Sequence, residues 1–177
     1  MIRPEQEKDF EAVRKVIELA FGSGPDGNCG EAELVEMLRE SDSYIPELSL
    51  VAENDSIQGH IMVSRVSLEP GPGQAKDSPV AALALAPLAV SPGHQGRGIG
   101  SSLVRESVKI ADALGHGLII VLGDHRYYRR FGFETASAFG IRCPFEVPEE
   151  HYMVLPLSGY KEEMKGLVVY PEPFKSV

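Results

Sequence analysis

The sequence predicts a mixed α/β fold, with helices on both faces of a central sheet, and three observations predict it. Segments with apolar residues at helical spacing stand near the N-terminus and after residue 98. Short runs of β-like texture occupy 48–68. Two uncharged runs, 80–90 and 118–122, flank the second helical segment in the manner of parallel strands buried on both faces. The 177 residues are enough for one domain with a full core, and no linker divides them, so a single domain over 1–177 is expected.

Residues 1–3 read as a short strand. Phe10, Val13, Ile17 and Phe21 then recur at helical spacing among charged residues, which predicts a first amphipathic helix. The glycines and proline of 22–28 end it. Leu34, Val35 and Leu38 mark a second helix. Strands are predicted over 48–53 and 57–68, joined by a tight turn at Asn54 and Asp55. An exposed loop rich in proline and glycine follows over 69–78.

The run 80–90 is predicted as a central strand, and Pro87 inside it removes a ladder bond and marks a bulge or an end of pairing. Ile99, Leu103, Ser107, Ile110 and Leu114 share one face of the next helix, opposite Arg105, Lys109 and Asp112, with Gly115 as the cap. After a strand at 118–122, Gly123 and Asp124 lead into a short helix over 126–131. Further β segments are predicted near 133–135, 153–157 and 167–170.

Composition narrows the function. A hydrophobic share of 43% and a charged share of 24% are those of a folded globular protein. A formal net charge of -9 argues against a surface made for nucleic acid or anionic lipid and suits a cationic acceptor. The two cysteines, Cys29 and Cys143, have no metal-site or disulfide spacing and read as reduced thiols. With no apolar leader and no apolar run of membrane length, a cytoplasmic location is expected.

The chemistry concentrates after the uncharged strand. Gly96, Gly98 and Gly100 precede a helix, so several backbone amides gather at a helix N-terminus, which binds anions. Glycine lets the chain approach a phosphate closely, and Arg97 adds a charge-assisted contact. The spacing excludes a Walker loop, which needs a lysine after the last glycine, and the dinucleotide fingerprint, whose third glycine falls on Ser101 or Leu103.

The turn does match Q/RxxGxG/A, with Gln95, Gly98 and Gly100 in the defined positions, and the chain thereby resembles the GNAT superfamily of N-acetyltransferases. LAPLAVSPGHQGRGIGSSLV over 85–104 resembles that family's fourth strand, turn and third helix. YYRRFGF over 127–133 resembles its downstream tyrosine signature, and VLGDHRYYRRFGF with MVLPL over 153–157 is similar to the YhbS-like branch. The resemblance implies a mixed, V-shaped sheet split at a bulge in the fourth strand, where Pro87 stands.

It also implies site residues. Leu88, Ala89 and Val90 would pair with the pantetheine arm of acetyl-CoA, and Gly96, Arg97, Gly98, Ile99, Gly100 and Ser101, with Gln95, would hold the pyrophosphate. Tyr128 matches the tyrosine that protonates the departing thiolate, with Tyr127 its competitor. An amine would attack the thioester directly, its carbonyl polarised by the amide of Val90 or Ala89. The family does not fix a base; Asp124, then His125, then Glu31 are the candidates, each with a structural alternative, an N-cap for Asp124 and a favoured helix-start position for Glu31. No metal is implied, and a homodimer is compatible with the family. The alternative function is an acyl-CoA binding protein without catalysis.

Overall fold

The computed structural model describes residues 1–73 and 79–176. The part of the expected loop at 74–78 lies outside the described residues. Backbone contacts gather into two compact units, Met1–Ser64, Ala86–Ile110 and Glu172–Val177 in one, Arg65–Leu85 and Ala111–Pro171 in the other.

In the first unit, strand β1 (Ile2–Pro4) pairs antiparallel with β2 (Ser49–Glu53), and β2 with β3 (Ile57–Glu69), in the register Leu50↔Ile61 and Val51↔His60. The hairpin is closed by the Asn54 amide on the Ser56 carbonyl at 3.1 Å. Leu48, expected to open β2, belongs instead to a helical turn, Pro46–Leu48, because Pro46 favours the first turn of a helix over a ladder position. Helices α1 (Phe10–Phe21) and α2 (Gly30–Arg39) bury Val13, Val16, Ile17, Leu34, Val35 and Leu38 against Val51 and Met62 of the strands.

The buried face of α1 holds Val13 and Ile17 as expected, but not Phe21. Phe21 is 46% exposed, whereas Val16 is buried, because the strip through Val13, Val16 and Ile17 faces α2 and leaves Phe21 at its margin. Gly22, with φ of 78°, ends the helix and donates to the Glu18 carbonyl at 2.8 Å.

A buried polar cluster ties β1, α2 and the hairpin together, and the sequence reading missed it. The Glu5 carboxylate receives Arg39 through Nε at 3.0 Å and Nη2 at 2.8 Å, Ser49 Oγ at 2.7 Å and Tyr44 Oη at 3.1 Å. His60 Nε2 lies 3.1 Å from Ser49 Oγ, whose hydrogen goes to Glu5, so this nitrogen is the donor and Nδ1 is left buried without a partner. Burial holds the imidazole below its ordinary pKa and therefore neutral. Burial also pushes the Glu5 carboxyl upward, but the hydrogen bonds from its neighbours outweigh this and hold it well below the carboxylate range.

Strand β3 passes from the first unit into the second, and strand β4 (Val80–Val90) from the second into the first. Within the second unit β4 runs parallel to β5 (Leu118–Leu122), pairing Leu83↔Ile119 and Ala84↔Ile120 and stopping there, ahead of Pro87. The interruption expected at Pro87 thus appears as ended pairing. Burial on both faces, expected along the whole strand, holds only over 82–85; from Ala86 onward side chains alternate between buried and half-buried, as in a strand covered on one face.

Strand β5 continues antiparallel to β8 (Tyr152–Pro156), which also pairs with β6 (Glu134–Thr135). The end of β3 pairs antiparallel with β9 (Gly166–Val169), and β9 parallel with β7 (Ile141–Arg142). Both senses occur, so the sheet is mixed. The core here is apolar, built on Leu118, Ile120, Val154 and Val168, with Tyr152 and Tyr170 joined by their hydroxyls at 2.8 Å. The two-residue strand β7 has no periodicity to announce it and was not anticipated.

Helix α3 (Ile99–Ala113) buries Leu103, Val104, Ser107 and Ala111. Leu114, expected on that face, is 47% exposed because the helix ends at Ala113 and Gly115, with φ of 87°, closes it on Asp112. The short helix expected over 126–131 is α4 (His125–Tyr128) followed by a tighter turn, Arg129–Phe131. Both cysteines are free thiols, and among the described residues no helix is long and apolar enough to cross a membrane.

Candidate active site

The glycine turn lies in the first unit, between the end of β4 and α3. Residues 92–94 make one helical turn, after which Gly96 and Gly98 adopt φ of 75° and 81°. These left-handed conformations are costly for residues with a Cβ, by about 1–2 kcal/mol, which accounts for both glycines. A Cβ on either would meet no atom within 4 Å, so the space over the turn is open. The first bond of α3, Ser102 amide to Gly98 carbonyl at 3.0 Å, places the helix N-terminus at that opening, with the positive end of its dipole outward.

Two contacts fix the turn against the sheet. Gln95 Nε2 donates to the Val90 carbonyl at 3.1 Å, which gives the motif glutamine a structural task. A Cβ on Gly59 of β3 would lie 2.9 Å from Ile99 Cγ2 and 3.0 Å from Leu103 Cδ1, so glycine there lets the start of α3 settle closely without displacing those side chains. Beside the turn a cavity of about 480 Å³ is lined by Arg97, Gly98, Ile99, Ser102 and Gln58, among others.

The end of β4 presents its backbone in alternation. Ser91 donates to the Gln58 carbonyl of β3 at 2.9 Å, and the Ala89 carbonyl also faces β3, near Gly59. Because successive peptide groups of a strand point to opposite sides, the amides of Leu88 and Val90 point away from β3. The Ala89 side chain enters the core while those of Leu88 and Val90 are half-buried. Sequence reasoning grouped the three residues; the structure separates them.

In the second unit Tyr128 closes α4 and is buried, with 8% of its surface exposed. The rings of Tyr127, Phe131 and Phe133 surround it at 5.0, 6.4 and 5.6 Å. Burial, with a smaller contribution from Tyr127, raises its phenol above the ordinary tyrosine range, so the proton is retained throughout neutral pH. A Cβ on Gly123 would come within 2.6 Å of Tyr128 Cε2, so the ring packs closely against Gly123 and leaves no room for a side chain there without shifting. Tyr127 instead stacks under the Arg130 guanidinium at 4.5 Å.

The candidate bases divide. Asp124 is the N-cap of α4, its Oδ1 accepting from the Arg126 amide at 2.9 Å, and that bond holds the carboxyl below its ordinary pKa. Glu31 stands in the first turn of α2, in the first unit, and accepts from Cys29 Sγ at 3.8 Å. His125 has a buried Nδ1 without a partner. The ring edge-on to it, at 5.4 Å, is His151, which the sequence reading passed over as part of an unremarked loop. No group of three metal-ligating side chains occurs among the described residues.

A family model described as acetyltransferase (GNAT) domain matches residues 46–135. The Escherichia coli K12 protein called uncharacterized N-acetyltransferase YjhQ is 35% identical over 170 residues, covering 93% of this chain and 88% of that protein. The chain belongs to the GNAT acetyltransferase family. The YhbS N-acetyltransferase of the same strain is 32% identical over 98% of both chains. Among GNAT structures, that of Escherichia coli YhbS in complex with CoA superposes with a TM-score of 0.85 at 29% identity, covering 99% of this chain and 91% of that one. A Brucella melitensis GNAT acetyltransferase in complex with acetyl-CoA gives 0.75 at 32% identity, over 98% and 97%. Fold, family and acyltransferase class therefore agree with the expectation drawn from the glycine turn.

Proposed function

We propose that this GNAT protein transfers the acetyl group of acetyl-CoA directly to a primary amine of a small molecule or a protein. The observation that carries the reading is the turn at Gly96 and Gly98, where two left-handed glycines leave open space at the N-terminus of α3. These residues fit a pyrophosphate: amides of the turn and helix start provide donors, the dipole favours negative charge, and Arg97 adds a cation. The two related structures that hold CoA or acetyl-CoA support the same ligand.

Acetyl-CoA supplies an activated thioester, and the chain's residues orient it and manage protons. Leu88 and Val90 direct their amides away from β3 and so can receive an extended amide-bearing arm as an added strand. Val90, the nearer to the turn, is the donor for the thioester carbonyl oxygen, where negative charge develops as the amine attacks. Tyr128 keeps its proton at neutral pH and is the acid that returns one to the leaving thiolate.

Calorimetric titration with acetyl-CoA, followed by thiol release across a panel of primary amines, tests the reading. Binding with release on at least one amine is the expected result. Binding with no release for any amine would favour the acyl-CoA binding alternative, and absence of binding would remove both.

A further inference from the structure

Gly123, the residue beneath the Tyr128 ring, is gripped by His151. Its amide donates to the His151 carbonyl at 2.9 Å, and its own carbonyl lies 3.1 Å from His151 Nδ1. A carbonyl only accepts, so Nδ1 carries the hydrogen, and in the neutral ring Nε2 carries the lone pair. No hydrogen bond to Nε2 occurs among the described residues, and the residue is half-buried. The backbone has thus fixed one tautomer and left the basic nitrogen unspent.

The position suits proton removal. Gly123 follows the carboxyl end of β5, which runs parallel to β4, and ligands of such sheets collect at that end of the strands. Of the other candidates nearby, Asp124 is engaged as the cap of α4, and His125 has its Nδ1 buried without a partner. Titratable groups on the elements around His151 are His125, Arg126, Tyr127 and Tyr128 of α4, Glu134 of β6, and Glu149 and Glu150 of its own turn.

We infer that His151 Nε2 is the general base that takes the proton of the acceptor ammonium, an assignment that rests on the acetyl-transfer reading with Tyr128 as acid. The ammonium gives one proton to Nε2, which passes it to solvent. The neutral amine forms the new C–N bond with the thioester carbonyl, and the C–S bond breaks as Tyr128 gives its proton to sulfur. The nitrogen then loses its second proton, which restores the phenol, so one proton is released per turnover.

The test compares two acceptors of one shape, a primary alkylamine turned over by the parent and its β-fluorinated analogue, whose ammonium loses its proton far more readily. His151→Asn keeps an N–H toward the Gly123 carbonyl and removes the base. Its kcat/KM is expected to fall about 10²-fold with the alkylamine, the low end for a general base, and far less with the analogue. Equal losses on both overturn the assignment, since a packing defect does not distinguish them. His151→Ala, assayed with added imidazole, gives a second route, and absence of rescue counts against it. Nitrogen NMR of the parent's imidazoles supplies a readout apart from turnover: hydrogen on Nδ1 is expected for neutral His151, and hydrogen on Nε2 overturns it. A parent that releases no thiol with any amine overturns the acetyl-transfer reading too, whereas an active parent matched by His151→Asn overturns only this one.

Discussion

The glycine turn and the Tyr128 cluster are built by opposite means. The turn is a backbone device, made within one short stretch of chain by glycines that take left-handed φ and by a helix that starts immediately after them. The Tyr128 cluster is a side-chain device in which Tyr128 packs on Gly123 and Phe133, and His151 joins Gly123 because β5 and β8 pair in the register Leu122↔Tyr152. A backbone device announces itself as a motif, because glycine and proline are its grammar. A side-chain device depends on register, which no local spacing encodes. The units differ in their cores as well: a charged network centred on Glu5 in one, apolar packing with a pair of tyrosine hydroxyls in the other.

The sharpest break in that contrast comes from Glu5. Glu5→Gln leaves the buried Arg39 guanidinium without its counter-charge and is expected to cost about 3–5 kcal/mol in chemical denaturation, the range for a half-broken buried pair. The same network sets an acid sensitivity. Glu5 and His60 both have folded pKa values below their unfolded ones, so the unfolded chain binds more protons as pH falls. Stability is therefore expected to decline below about pH 6.5 as unfolded His60 protonates, and further below about 4.3 as unfolded Glu5 does. Hydrogen exchange should show β2 and the first half of β3 losing protection early; protection there unchanged down to pH 4 would contradict the network's role.

Tyr128→Phe tests the side-chain device. Turnover is expected to fall about 10²-fold or more while the Kd for acetyl-CoA stays within about twofold, because the role proposed for the hydroxyl is confined to the leaving thiolate. Equal loss in both parameters would make Tyr128 a packing residue. The backbone device predicts the reverse pattern. Gly98→Val imposes a left-handed conformation on a β-branched residue and is expected to weaken acetyl-CoA binding about tenfold, following a strain of about 1–2 kcal/mol, with saturated turnover nearly unchanged.

The smallest expected effect separates the two tasks open to Asp124. Asp124→Ala should cost about 1 kcal/mol through the lost cap, and Asp124→Asn, which keeps a capping oxygen, should retain both stability and turnover. Stability retained with turnover lost in Asp124→Asn would instead make Asp124 the base.

Much of this architecture was legible in the chain. The order of helices and strands, the glycine turn and the parallel reading of 80–90 and 118–122 follow from periodicity, breakers and motif spacing, each a consequence of backbone geometry acting over a few residues, whereas Tyr128 was singled out only by the family resemblance. Errors fell where tertiary context overrides local pattern. Phe21 and Leu114 look like core residues and are not, because the neighbouring helix and a helix end decide their exposure.

The sequence by itself determined the glycine turn and helix start at which an anion is proposed to bind, and which elements surround it, since glycine conformations and a helix terminus are local physics. Only the tertiary structure decided that Leu88 and Val90, and not Ala89, turn their amides away from β3, and that His151 lies against Gly123 with one tautomer fixed. Those outcomes depend on which strand pairs with which, and in what register, a choice made by the burial of whole faces rather than by neighbours along the chain.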